Sequence, residues 1–414
     1  MDNLTHSLVG AALSKTGLDR RTPLATATLV IAANAPDVDA FSYARGEYFA
    51  LAFRRGITHG VPAQVVLPFV VAGAVLAWDR WVRRCRDPEA VAARPREILL
   101  LSVLGVLTHP ALDWMNVYGM RWGLPFVASW SYGDALFILD PWLWLILGGA
   151  VCLAGAGGRW LWGVLGALTT LLMVLGPVPA VASALWVAGV ASVGVLRRAG
   201  WPREGAPRRR VAASAVAVAL SYIGAMMAGN ALGSRRTLAA AVAAGLEPSE
   251  VMLSPSAANP FTSEVEVATP AGYVPGEYRW LPSPRVVLRP KDGVPLLRRP
   301  PEADPQAVEG VLRAARDIPD VRHYLVWSRY PYATVSRDRD AWVVRYSDAR
   351  YDDRAGAGGL GGVTVRVPAV PVKPLLHPHS PYQRPAYSGL KSGASVVSSQ
   401  ARCSRLIWRT WMRS

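Results

Sequence analysis

The stretch "EILLLSVLGVLTHPALDW", residues 97–114, is an apolar run that ends in polar residues. A helix needs about 20 apolar residues to cross a bilayer, so this run is long enough to span. His109 and Asp113 stand four residues apart near its end and would share one helix face, although Pro110 between them predicts a kink or a restart. Because ionisable side chains are costly in a membrane, the stretch predicts a helical membrane protein with a polar site at one helix end.

Five further apolar runs of similar length extend this pattern to about six membrane spans. Two shorter apolar segments, 4–14 and 22–36, reach only about 16–22 Å as helices and cannot cross a bilayer fully. They predict a short N-terminal helical hairpin turned by "KTGLDRR" (15–21). Besides 97–114, the predicted spans are 61–78, 138–158, 160–176, 178–196 and 211–232.

The remainder of the chain has a different composition. Residues 233–414 are rich in Pro, Arg, Ser and Gly, and segments within 250–370 alternate polar and apolar residues as strands do, with a helix expected at about 303–317. We therefore predict a mainly α fold: a helical membrane domain (1–232), a small β-rich soluble domain (233–371) and a linker or disordered tail (372–414). Among the expected strands are "SEVEVATP", "PRVVLRP", "HYLVWSRYPYATVSR", "DAWVVRYSDARY" and "GVTVRVP".

The basic residues predict an orientation rather than a nucleic-acid partner. The net charge is +16, but the loops 79–97 and 197–210 carry six arginines each and both flank predicted spans. The positive-inside rule places both loops in the cytoplasm, and four spans between them return the chain to the same side. The start of the span at 61–78 and residues 233–414 then lie on the outer side. The three arginines of 45–56 are an exception to this rule.

Histidines and aspartates gather at the outer ends of the first apolar segments. Histidine nitrogen and carboxylate oxygen ligate zinc and similar divalent ions, and so many groups could hold two or three ions. Each group also has a simpler explanation: a hydrogen-bonded interfacial histidine, a helix-ending turn at "PDVD", or a helix cap at Asp140–Pro141. Three scattered cysteines make a disulfide framework improbable. The candidate ligands are His6, Asp37, Asp39, His59, His109, Asp113 and Asp140, with Asp134 nearby.

Five motifs in this order resemble the YdjM-like family of membrane-bound metal-dependent hydrolases. They are "LTHSLVGAAL", "NAPDVDAF", "RRGITHG", "LTHPALDWMNVYGMRWGLPF" and "ILDPWLW", within residues 1–145. The resemblance implies a multi-pass protein of the cell (inner) membrane, with a metal site within 1–145. It implies the first six candidates as ligands, with Asp140 matching the family's D-P. A more distant similarity to zinc-dependent phospholipase C and P1-type nucleases implies phosphoester hydrolysis.

Three functions remain open at this point. The first is a metallohydrolase at the outer membrane face, acting on a phosphoester or lipid-derived substrate, with Asp134 as general base. The second is a non-catalytic membrane protein with a structural metal or polar cluster and a β domain that binds a partner. The third, ion transport, would need polar residues through the bilayer centre, where the later spans offer only Thr169, Thr170, Ser183 and Ser192. Neither the substrate nor the oligomeric state follows from the sequence.

Overall fold

The structure is a computed structural model that describes residues 1–155, 158–176, 178–354 and 359–368. Its helices and strands divide into two compact units. The first comprises Met1–Leu246, Val251–Val267 and Val274–Asp292, and the second comprises Glu247–Glu250, Ala268–Tyr273 and the residues from Gly293 onward. The domain boundaries predicted at 232 and 371 stay predictions, and the tail predicted at 372–414 lies outside the described residues.

The first unit is built mainly from helices. Two of the helices listed next contain a π-helical segment with wider turns: α4 over Asp79–Arg83 and α6 over Trp144–Gly148. The α-helices are α1 Asn3–Lys15, α2 Ala25–Asn34, α3 Glu47–Phe53, α4 Val61–Arg86, α5 Pro95–Trp114, α6 Pro141–Leu153, α7 Arg159–Leu175, α8 Ala180–Arg198 and α9 Ala206–Ala243. Short 3₁₀ helices occupy Leu18–Arg20 and Ala35–Arg45.

Within the described residues, four helices are long and apolar enough to cross a membrane: α4, α5, α8 and α9. The helices α6 and α7 are apolar but shorter, so the predicted count of about six spans is not confirmed. Helix α5 runs without a break through Pro110, which leaves His109 and Asp113 on one face of a continuous helix. A membrane protein with a helical N-terminal region is therefore the supported fold class.

The N-terminal helices α1 and α2 form the predicted hairpin. They pack against each other, and Asn34 Nδ2 donates a hydrogen bond to Ser7 Oγ at 3.0 Å. A Cβ atom on Gly10 would lie 2.7 Å from the Leu29 carbonyl oxygen, and one on Gly105 would lie 2.6 Å from Ala32 Cβ. Glycine at these two positions thus lets α1 and α5 approach α2 closely from two sides. This packing brings the end of α2 beside His109.

Two sheets follow the helices. The first has the order β1–β2–β3–β4, with β5 also paired to β3, and the second has the order β6–β7–β8–β9. Pairing in the second sheet is antiparallel except for β6 with β7, which is parallel. The strands are β1 Glu250–Ser256, β2 Asn259–Thr269, β3 Gly272–Arg279, β4 Arg285–Leu288, β5 Val294–Pro295, β6 Leu297–Arg298, β7 Pro331–Asp338, β8 Ala341–Asp348 and β9 Val363–Pro368.

The helix expected at about 303–317 is present as α10, Pro305–Asp317, but one predicted strand is partly wrong. Residues 323–327 belong to helix α11, Pro319–Trp327, and not to a strand. Pro319 begins this helix, and Val321, Tyr324 and Trp327 are buried at the three-residue spacing of one helix face. Further 3₁₀ turns lie at Pro290–Asp292, Ala349–Arg354 and Gly359–Gly361.

Candidate metal centre

Four of the candidate side chains converge in the first unit. Asp37 lies in the 3₁₀ helix after α2, His59 lies just before α4, and His109 and Asp113 lie on α5. One ligand atom from each of the four residues lies within 4.8 Å of the others, so the group could hold a metal ion. His59, His109 and Asp113 are buried, and Asp37 is the least buried of the four.

The distances between these atoms resemble the edges of a tetrahedron. The Nε2 atoms of His59 and His109 are 3.1 Å apart, and Asp113 Oδ2 lies 3.3 Å from the first and 3.7 Å from the second. Asp37 Oδ1 lies 3.8 Å and 3.7 Å from the same two nitrogens. Ligands at zinc distances of about 2.0–2.2 Å in tetrahedral geometry are separated by about 3.3–3.6 Å. The donor set and its spacing therefore fit one such ion.

Hydrogen bonds on the far side of each imidazole ring assign the proton to Nδ1. His109 Nδ1 lies 2.6 Å from the carbonyl oxygen of Ala33, which can only accept. His59 Nδ1 lies 3.2 Å from Asp39 Oδ2 and 2.9 Å from Thr58 Oγ1, whose own hydroxyl donates to Asp39. Both Nε2 lone pairs consequently face each other. A histidine backed by a carboxylate or a carbonyl is the usual arrangement around a bound metal.

The pKa values of Asp39 and His59 show which charges this site favours. Burial alone would raise the pKa of Asp39, but hydrogen bonds from His59 and from the backbone N–H of Arg55 lower it, so Asp39 is a carboxylate. Burial alone would lower the pKa of His59, but the neighbouring carboxylates of Asp113 and Asp39 raise it. The surroundings of His59 therefore favour a positive charge between the two rings, carried by a proton or by a metal ion.

Two arginines that the sequence analysis counted as loop charges belong to this site. Arg54 lies 3.1 Å from Asp37 Oδ1 and 3.3 Å from Asp39 Oδ1. Arg55 Nε lies 2.8 Å from Asp113 Oδ2, and its terminal nitrogen donates to Asn116 Oδ1 at 2.8 Å. Two of the three arginines of 45–56 thus pair with carboxylates of the cluster. In the sequence both belong to the motif "RRGITHG", which singled out only His59 as a candidate ligand.

Arg55 adopts an unusual backbone conformation. Its φ is +52°, a left-handed value that is uncommon for a residue other than glycine. The backbone N–H donates to Asp39 Oδ2 at 2.9 Å, while the buried side chain reaches Asp113. Such local strain persists where surrounding contacts fix the residue, as they do between the two aspartates here.

His6 lies beside the four-residue group. Its Nε2 is 3.1 Å from Asp113 Oδ1, and its ring stacks on that of His109 with centroids 3.8 Å apart. The amino group of Met1 also contacts Asp113 Oδ1. In the described part of the chain, His6 Nδ1 is buried without a hydrogen-bond partner. His6 thus binds the oxygen of Asp113 that points away from the two facing imidazoles.

Asp134 and Asp140 are not part of the four-residue group. Asp140 caps helix α6, where Oδ1 accepts hydrogen bonds from the backbone of Trp142 and Leu143 at 3.0 and 3.1 Å. Its Oδ2 accepts one from the Tyr222 hydroxyl at 2.9 Å, which agrees with the alternative interpretation of "DP" as a cap. The carbonyl oxygen of Asp134 accepts a hydrogen bond from Asn230. Metal binding by Asp140 and base catalysis by Asp134 stay predictions.

Comparison with known proteins gives one match. No curated protein and no solved structure matches the chain significantly. The distant similarity to phospholipase C and P1-type nucleases stays a prediction. A family match together with the four apolar helices supports an inner membrane protein and confirms the resemblance stated from the motifs. Residues 1–178, which include all four residues that could hold a metal ion, match the family model described as YdjM inner membrane protein.

Proposed function

We propose that this chain is an integral inner-membrane, metal-dependent hydrolase that acts on a phosphoester. Asp37, His59, His109 and Asp113 would hold a divalent ion, for which zinc is our first candidate. The observation that carries the proposal is the pair of facing Nε2 atoms, 3.1 Å apart and flanked by two carboxylates. A second or third ion, as the sequence suggested, would have to draw on His6 or Asp39.

The charges of the site favour an anionic substrate once a metal binds. Asp37, Asp39 and Asp113 face Arg54, Arg55 and the amino group of Met1, so the charges of the site are close to balanced. A divalent ion would therefore leave the site with a net positive charge. Such an ion also lowers the pKa of a coordinated water and polarises a phosphoryl oxygen.

The residues of the chain suggest how a substrate would approach. Asp37 and its partner Arg54 are the more accessible members, with side-chain exposures of 9% and 22% against 0–1% for the other three ligands. The open side of the cluster is therefore the side of Asp37. Arg54 can offer a guanidinium to phosphoryl oxygens there, since guanidinium and phosphate pair well.

The membrane orientation is also part of this proposal. The positive-inside rule places the ends of α4 and α5 that carry the cluster on the outer side, where lipid-derived phosphoesters are accessible. The same rule places the strands after α9 on the outer side. The lipid bilayer is the supported partner, and a lipid-derived substrate is the proposed one.

Metal content and phosphoesterase activity test the proposal together. We expect the full chain, purified in detergent, to contain a divalent metal by elemental analysis and to hydrolyse at least one member of a phosphoester panel. The variant His109→Ala with Asp113→Ala should lose both properties, whereas His323→Ala, which alters a histidine of the second unit, should keep both. A folded wild-type protein without metal would contradict the proposal.

One observation favours the second candidate function, a structural metal without turnover. Four protein ligands in tetrahedral geometry close a zinc ion, whereas catalytic sites keep one position open. The variant Asp37→Ala separates the two. In a hydrolase with His59, His109 and Asp113 as permanent ligands, it should retain metal and change the turnover rate. In a structural site it should weaken the metal and destabilise a protein that never turns over.

A further inference from the structure

A second feature of the first unit lies away from the metal cluster. A cavity of about 1170 Å³ opens between helices α6, α7 and α8 and the outer face of α1. Small-molecule sites enclose about 300–1,000 Å³, so this space is large enough for an extended ligand. On α1, Leu4 and Leu8 line the cavity, while His6 between them contacts Asp113. The cavity and the metal cluster therefore use different faces of the same helix.

The width of the cavity varies along α8. Near its middle the helices are in contact: a Cβ on Gly189 would lie 2.5 Å from Leu145, and one on Gly166 would lie 3.6 Å from Val190. Towards the end of α8, α7 separates from α8, because a Cβ on Gly163 or on Gly194 would meet no atom within 4 Å. Helix α6 stays in contact with α8 there, since a Cβ on Gly149 would lie 3.1 Å from Val193. The widest part thus lies between the first turns of α7 and the last turns of α8.

The lining is apolar, and its polar groups bond to one another. Trp186 Nε1 donates to Thr170 Oγ1 at 3.0 Å, and Thr169 Oγ1 donates to the Leu165 carbonyl at 2.7 Å. Trp144 Nε1 donates to Thr5 Oγ1 at 2.9 Å. Because these donors are satisfied within the protein, the walls suit a hydrocarbon chain better than a polar ligand.

The wide end of the cavity is basic. Arg197 and Arg198 line it, and Arg197 donates to the carbonyl oxygen of Cys152. Arg208 lies next to Gly155 in the neighbouring turn and pairs with the exposed Glu204 at 3.2 Å. No ion pair involves Arg198 among the residues that the structure describes, and its side chain is exposed. A phosphate at this end would complement its charge.

We propose that this cavity binds one phospholipid, with an acyl chain between α6, α7 and α8 and the phosphate beside Arg197 and Arg198. The 13 residues of α6 span only about 20 Å, less than the hydrocarbon thickness of about 30 Å, which leaves part of that thickness for an acyl chain to fill. The proposal is independent of hydrolysis at the metal cluster. It identifies a bound lipid that would act as a structural partner of the short helices.

Filling the cavity is the direct test. In Gly163→Leu with Gly194→Leu, each new side chain has room, and the pair would occupy the widest part. Displacing about two methylene groups of a lipid corresponds to a loss of affinity of at least about tenfold. The matched control is Gly73→Leu with Gly224→Leu, two helical glycines that also face open space but do not line the cavity.

The measurement is native mass spectrometry of the full chain in detergent, titrated with palmitoyl-oleoyl phosphatidylglycerol or with its phosphatidylcholine counterpart. We expect one phospholipid on the wild type and the control, and about tenfold weaker binding to the filled variant. Absence of lipid on the folded wild type, or equal binding to the filled variant, would overturn the proposal.

The variant Arg198→Gln tests the phosphate position separately, in a protein whose cavity is unchanged. Removing one arginine should reduce binding of the anionic phosphatidylglycerol about fivefold, with a smaller effect on phosphatidylcholine. No effect on either lipid would show that the phosphate does not lie beside α8 and would contradict that part of the proposal.

Discussion

Two buried aspartates, one in each unit, have opposite hydrogen-bonding surroundings. Asp348 in β8 is fully buried: Oδ2 accepts hydrogen bonds from the Ser328 hydroxyl at 2.6 Å and from the Arg329 and Tyr330 backbone, and both oxygens bond to Arg350. Asp113 is equally buried and also faces an arginine. Its Oδ2, however, has no aligned hydrogen-bond donor, although Arg55 Nε is 2.8 Å away.

The difference separates a structural carboxylate from a candidate ligand. Buried polar atoms are almost always hydrogen-bonded, and an exception needs an explanation. At Asp348 every lone pair is directed at a donor, so nothing is left for another group. At Asp113, Oδ2 has an ion pair with Arg55 but no aligned hydrogen-bond donor, and it lies 3.3 and 3.7 Å from two imidazole nitrogens that also lack donors on that side. A cation between them satisfies all three atoms.

Metal affinity should distinguish the two aspartates most strongly. We expect Asp113→Asn to weaken metal binding more than about 100-fold, beyond the about 10–100-fold typical of residues behind a ligand. Asp348→Asn should leave metal affinity unchanged. Titration against a competing chelator, with elemental analysis of the dialysed protein, measures both. Equal affinities in the two variants would remove the distinction.

Folding stability should show the reverse order. In Asp348→Ala the buried Arg350, whose side chain is 1% exposed, loses its partner. Leaving such a charge unpaired costs about 3–5 kcal/mol. Hydrogen exchange of the full chain should report faster exchange in β7 and β8. The exposed pair Asp338–Arg366 is the control, since Asp338→Ala should cost about 0–1 kcal/mol.

Replacing Asp39, which contacts the far side of the His59 ring, should have an intermediate effect on metal affinity. In Asp39→Asn the ring loses its charged acceptor, so we expect metal affinity to fall about 10–100-fold, or about 1.4–2.7 kcal/mol. Asp113→Asn, measured by the same chelator competition, calibrates the loss of a direct contact. A variant with wild-type affinity would show that His59 is oriented by Thr58 alone.

Acid should weaken the second unit through Asp348. Burial alone would raise the pKa of this carboxyl, but Arg350 and the hydrogen bonds lower it to about 2 from the usual 3.8. The unfolded chain therefore binds more protons, and the stabilisation, about 2 kcal/mol, is present above about pH 4 and lost between about pH 4 and pH 2. Hydrogen exchange of β8 as a function of pH, compared with that of Asp348→Ala, isolates this contribution. An equal pH dependence in both proteins would contradict it.

The sequence revealed much of the site because its ligands stand at the ends of recognisable apolar segments. His109 and Asp113 share a helix face by spacing alone, and the hairpin of α1 and α2 returns His6 to their side. Arg54 and Arg55 could not be assigned in the same way. An arginine before a membrane span usually indicates which side of the membrane the loop lies on. Only the packing of the loop shows that both side chains contact carboxylates.

One predicted strand is partly wrong and two other expectations are not confirmed, for physical reasons. Residues 323–327 were predicted as part of a strand because aromatic and β-branched side chains are common in strands. The same side chains also suit a helix that buries one face, which is what the structure has. Asp140 has the chemistry of a ligand, but a carboxylate before proline also caps a helix, and the hydrogen bonds show the cap. The run at 138–158 was expected to span, although only Pro141–Leu153 forms an apolar helix within it.

Gly105 sets the distance between α2 and α5 beside the candidate metal site. The carbonyl of Ala33 that fixes the His109 ring belongs to the end of α2, and α2 is held at contact distance from α5 by the missing side chain at position 105. Adding a single methyl group there would push the two helices apart one turn below His109. The orientation of the His109 ring would then change although no candidate ligand is altered. The effect of a larger residue at position 105 on metal affinity would therefore show how strongly helix packing controls the site.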